Sequence, residues 1–128
     1  MILLDTQVLL WLVTDDDSLG TGSRRLIENH PGRVHYSPLS LFELTLKQML
    51  GRLRIPDGLD ELLRDQGLAP LPVTDRHALA VARFGELVRH DPLDRLLLGQ
   101  AAAERGDFLT ADRRLLSLGL DWVHDAAR

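Results

Sequence analysis

The chain begins with an unbroken apolar run, Ile2-Leu3-Leu4, that reaches an acid at Asp5. After Thr6-Gln7 a second apolar run extends from Val8 to Val13. A short continuous run followed by one of helical length predicts a buried strand feeding a buried helix. Asp15-Asp16-Asp17-Ser18 then ends the helix in a solvated turn, where consecutive side chains diverge. Residues 23–30 predict a short amphipathic helix, closed by Pro31-Gly32. Residues 33–37 alternate and carry β-formers, so they predict a second strand. A helix over 38–49 follows, with Ser37 as N-cap and Pro38 at its first position. Its apolar residues, including Leu41, Phe42, Leu46, Met49 and Leu50, spread over more than one stripe, the mark of a helix that is wholly buried or meets a partner.

Beyond a loop over 51–58, residues 59–66 predict a helix ended by Gly67. Pro70 and Pro72 restrict 68–73 to an edge strand. Further helices are expected over 75–84 and from Asp91-Pro92 to about Arg105. A short buried strand at 108–110, a helix over 112–118 and a last edge strand at 121–124 complete the pattern. Strands and helices alternate throughout. The expected fold is α/β, one domain over 1–128, with a mainly parallel four- to five-stranded sheet and helices on both faces. In such a sheet Asp5 lies at the carboxyl end of a strand, where open α/β sheets bind ligands.

Composition narrows the chemistry. The 128 residues carry a net charge of −4, so no general basic field gathers nucleic acid. Cysteine is absent, which excludes disulfides and thiolate zinc sites. None of the five histidines forms an HxxxH pair or another ligand spacing, so zinc is not expected. No apolar run reaches membrane-spanning length, and the apolar start has Asp5 inside it and no basic region before it. The expectation is a soluble, cytoplasmic protein.

Four acids stand where the sheet could bring them together: Asp5 after the first strand, Glu43 on the helix after the second, Asp94 in the first turn after Asp91-Pro92, and Asp112 after the strand at 108–110. Each also has a structural reading. Asp5 and Asp112 suit N-caps, Ser40-Leu41-Phe42-Glu43 fits a capping box, and Asp94 is a first-turn acid favoured by the helix dipole. Local roles leave the convergence unexplained. Clustered carboxylates repel one another unless a cation neutralises them, and oxygen ligands favour Mg²⁺ or Mn²⁺.

The chain resembles the PIN-domain ribonucleases, specifically the VapC type, the toxin half of a VapBC toxin–antitoxin pair. The resemblance rests on Leu4-Asp5-Thr6, Ser37-x-x-Ser40-x-x-Glu43 with Lys47, His90-Asp91-Pro92-Leu93-Asp94-Arg95 with Gln100-Ala101, and Leu109-Thr110-Ala111-Asp112. It implies an endoribonuclease dependent on Mg²⁺ or Mn²⁺, with Asp5, Glu43, Asp94 and Asp112 as metal-binding and catalytic acids. Thr6 and Thr110 match hydroxyl positions that orient those ligands. It further implies an antitoxin partner whose tail lies in the groove, and a toxin that commonly dimerises. Leu93 and Phe42 depart from the aromatic and Trp usual at their positions, which leaves the acids intact and bears on the groove wall.

Around the acids, Lys47, the only lysine, is read either as surface support for Glu43 at i,i+4 or as a cation beside the site. Arg95, Arg113 and Arg114 are candidates for phosphate contact. Arg52 and Arg54, in a loop, could reach substrate or antitoxin. His90, in a loop before a helix, could act as an acid or base, and is read first as structural. A haloacid-dehalogenase phosphatase would need Asp-x-Asp, which Asp5-Thr6-Gln7 lacks. A receiver domain would need paired acids after the first strand and a lysine near the end. An interaction module whose acids are all caps would bind no metal.

Overall fold

The computed structural model describes all residues 1–128. Five strands form one parallel sheet in the order β3-β2-β1-β4-β5. They are β1 (Ile2–Leu4), β2 (Val34–Tyr36), β3 (Ala69–Pro70), β4 (Asp107–Thr110) and β5 (Val123–Asp125). Seven helices connect them: α1 (Thr6–Val13), α2 (Thr21–Glu28), α3 (Pro38–Met49), α4 (Leu59–Asp65), α5 (Asp75–Ala80), α6 (Pro92–Ala103) and α7 (Arg113–Leu116). None is long and apolar enough to cross a membrane.

The first strand is central because nothing in it is polar. Ile2, Leu3 and Leu4 are all buried, as a strand covered on both faces requires. Successive side chains point to opposite faces. Ile2 and Leu4 accordingly join one core with Val8, Leu9, Leu44 and Leu63, and Leu3 joins the other with Leu97, Leu98, Phe108 and Leu115. The chain builds outward from β1 through β2 to β3, then returns to place β4 on the other side of β1. That reversal puts the helices of the second half on the second face. It also makes the gap between β1 and β4 the switch point of the sheet, beyond whose carboxyl ends ligands bind in open α/β folds.

Several boundaries move from the expected ones. The helix expected over 75–84 ends at Ala80, and two 3-10 turns, Val81–Arg83 and Gly85–Leu87, carry the chain onward. From these turns Phe84 and Leu87 both enter the second core. The short helix expected from Asp112 begins at Arg113, because Asp112 is its cap, and the last strand lies at Val123–Asp125. The capping box expected at Ser40 does not form: Ser37 is the N-cap of α3, accepting from Leu39 N. Ser40 is left buried in the first turn.

Helices α5 and α6 meet closely at Gly99. A Cβ there would lie 2.8 Å from the His77 carbonyl oxygen and 2.9 Å from Val81 Cγ2. Gly99→Ala is expected to destabilise the fold by about 1–3 kcal/mol through overpacking, read as a lower urea midpoint at unchanged slope.

Candidate active site

Asp5 leaves β1 and caps α1 in the same step. Its Oδ1 accepts from Thr6 N at 2.7 Å, and its Oδ2 accepts from Thr110 Oγ1 at 2.5 Å. Thr110 is the last residue of β4, and the pairing of Leu4 with Leu109 sets the two strand ends side by side. The Thr110 hydroxyl also accepts from Asp112 N at 3.0 Å. One buried threonine thus ties the loop after β4 to the acid after β1. Thr6 Oγ1 donates to Ser40 Oγ at 2.9 Å, which joins the start of α1 to the first turn of α3.

Asp112 divides its oxygens between two tasks. Oδ1 caps α7, accepting from Arg114 N and Leu115 N. Oδ2 faces His90 Nε2 at 3.0 Å. The cap and the site are therefore one arrangement at both Asp5 and Asp112: the cap fixes the rotamer and leaves lone pairs facing the groove. Capping of α6 falls instead to Asp91, whose Oδ1 accepts from Leu93 N and Asp94 N. Asp94 is thereby free to face the other acids.

Asp5, Glu43, Asp94 and Asp112 line one cavity of about 290 Å³, together with Thr6 and Lys47. Lys47 Nζ contacts Glu43 Oε2 at 2.9 Å. At the edge of the cavity His90, Asp94 and Asp112 form a tight group, with ligand atoms within 4.8 Å of one another. His90 Nε2 stands 3.4 Å from Asp94 Oδ2 as well as against Asp112. Burial, with the nearby charges of Asp5, Asp91, Glu43 and Asp112, pushes the Asp94 carboxyl up to about 7. Asp5 is pushed up to about 6, mainly by burial, against the lowering effect of its bonds from Thr110 and Thr6.

The other expected residues divide. Arg95 turns away to donate to the Val88 carbonyl at 3.0 Å, so its guanidinium braces the turn before α6 instead of standing ready for phosphate. Arg113 is exposed and 3.7 Å from Asp125, and Arg114 donates to the Glu86 carbonyl. His90, expected to be structural, stands in the site. The four-residue step from His90 to Asp94 is its sequence signal. Only the turn ending at Leu87, whose carbonyl accepts from His90 N at 2.8 Å, aims the ring at two acids.

The donor set suits a hard divalent cation. Four carboxylates, two of them raised well above the usual range, face a single lysine, so most of the pocket's negative charge is uncompensated. His90 adds one nitrogen, which widens the acceptable ions toward Mn²⁺.

Comparison with known proteins gives a family and a fold. The sequence matches the family model for the PIN domain over residues 2–119. No curated protein matches it. The VapBC2 complex of Rickettsia felis, bound to a DNA fragment from its promoter, is similar with a TM-score of 0.68 at 16% identity over 98% of both chains. A toxin–antitoxin complex from Klebsiella pneumoniae gives 0.67 at 14% identity over 97% of this chain and 96% of that one. DNA-bound VapBC from Salmonella typhimurium gives 0.68 at 16% identity over 97% and 96%. At these identities the likeness is one of fold.

Proposed function

The chain belongs to the PIN domain family, and from that premise we propose that it is a divalent-metal-dependent endoribonuclease, the toxin of a toxin–antitoxin pair. Nuclease chemistry is what the family implies in general. The observation that carries the finer reading is the meeting of Asp5, Glu43, Asp94 and Asp112 in one cavity at the switch point of the sheet. Caps alone would not require their free oxygens to face one another.

Asp5, Glu43, Asp94 and Asp112 would hold Mg²⁺ or Mn²⁺, with His90 against two of them. When bound, the cation supplies charge neutralisation and Lewis-acid activation of water and of the phosphodiester. The chain's own residues prepare that site. Thr110 and Thr6 lock Asp5 into one rotamer, so no carboxylate rotation has to be frozen on binding. Lys47 holds Glu43 toward the cavity and keeps a cation beside the path of an RNA phosphate. His90 Nε2 stands 3.4 Å from Asp94 Oδ2 and 3.0 Å from Asp112 Oδ2, which holds the two acids close together.

The partners follow the same reading. Phe42, Leu46, Met49 and Leu50 form an exposed apolar stripe along α3, which suits a homodimer or an antitoxin. A monomeric mass in solution for the toxin alone would count against the dimer. Cleavage of a mixed RNA pool tests the enzyme: cutting is expected in Mg²⁺ or Mn²⁺ and not in EDTA. Metal-independent cutting, or none by folded protein free of antitoxin on any RNA, would refute it.

A further inference from the structure

We propose that the loop after α3 is an RNA-phosphate track continuous with the acidic cavity, with Arg52 and Arg54 as substrate-positioning residues; the inference rests on the ribonuclease reading. The loop's alternation shapes it. Leu53 and Ile55 pack against the first core, which turns Arg52 and Arg54 outward together. Gly51, at φ 72°, makes the turn out of α3 that starts the pattern. Gln48 Oε1 accepts from Ile55 N at 2.7 Å and pins the loop to the helix, so the arginines sit on a fixed support.

Neither guanidinium forms an ion pair within the chain, although arginines elsewhere pair with acids. The two line an open cavity of about 760 Å³ with Gln48 and Asp57. Leu53 lines both this cavity and the one holding the four acids, and Lys47 stands one residue before Gln48. From 47 to 57 the chain carries three cations and one acid, against a net charge of −4 for the whole. Free arginines beside an acidic centre give a phosphodiester strand what the acids cannot: an attractive charge where its neighbouring phosphates run. With few aromatics near the centre, such a track reads the nucleic-acid backbone and carries little base identity. An acidic protein partner would use the same charges, but it would not account for the continuity with the cavity that takes the reacting phosphate.

The test compares wild type with the double variant Arg52→Gln/Arg54→Gln on two substrates, a dinucleotide that fills only the acidic cavity and a single strand of about twelve nucleotides. The readout is the ratio of kcat/KM on the long substrate to that on the short one, followed over KCl concentration. The ratio is expected to fall about tenfold, because the variant cannot form the two charge-assisted bonds to phosphate. Its salt dependence is expected to become shallower by about 1.4 in log–log slope. An unchanged ratio and slope, with wild type active, overturns the inference and leaves the loop to a protein partner. Wild type inert on both substrates refutes the ribonuclease reading, and the track with it.

Discussion

Asp5→Asn is expected to abolish RNA cleavage, by on the order of a thousandfold or more, in a protein that still folds. The size follows from the role of the cation. A metal held for phosphoryl chemistry supplies several kcal/mol of charge stabilisation, and each 1.36 kcal/mol is a factor of ten in rate. The fold is expected to survive because the asparagine side-chain oxygen can still accept from Thr6 N and keep α1 capped. The Thr110 hydroxyl, which donates to the other carboxylate oxygen, would face the asparagine amide nitrogen and accept from it instead. Circular dichroism and urea unfolding beside the cleavage assay separate the two effects. Full activity in the variant would remove Asp5 from the chemistry.

Asp94→Asn is expected to do two opposite things: end cleavage and stabilise the metal-free fold. The Asp94 carboxyl is raised to about 7 because burial, and then Asp5, Asp91, Glu43 and Asp112, disfavour its charge. A carboxyl raised in the folded state binds more protons than its unfolded counterpart at intermediate pH. Metal-free stability therefore falls as pH rises from about 4 to about 7. Asp5, raised to about 6, adds to the same slope up to that pH. Asn removes the Asp94 share, so the variant is expected to gain nothing at pH 4 and most above pH 7, where its melting temperature rises by about 3 °C or more. Saturating Mn²⁺ is expected to stabilise wild type more than the variant, narrowing or reversing the difference. A variant less stable than wild type at every pH, without metal, would mean that Asp94 serves the helix and not a cation. A gain in stability on removing an acid is the ordinary signature of a residue kept for function at the expense of the fold.

Much of this is legible along the chain, for local reasons. The range of α3 is set by Ser37-Pro38, and the start of α6 by Asp91-Pro92, since a cap followed by proline at the first position leaves little freedom. The central place of β1 is written in three consecutive apolar residues. What is not legible depends on packing between distant segments. The adjacency of β1 and β4, which brings Asp5 beside Thr110, can be stated from sequence only as a condition. The end of α5 at Ala80, where two 3-10 turns take over, has no signal in the local sequence. Arg95 and His90 exchange their expected parts for one reason: the turn before α6 decides which faces a carbonyl and which faces the acids. Cap and site also compete as explanations of Asp5 and Asp112, because a sequence does not show that one carboxylate can give one oxygen to each.

The measurement that bears most directly on the central claim is calorimetric titration of the metal-free protein with Mn²⁺, at about pH 6.5, just below the raised Asp94 carboxyl, for wild type and Asp5→Asn. Four acids converging to hold a cation predict saturable binding in wild type, with proton release on binding as Asp94 gives up its proton, and marked weakening in the variant. No binding at millimolar Mn²⁺ by folded wild type, or binding equal in the two proteins, would contradict it.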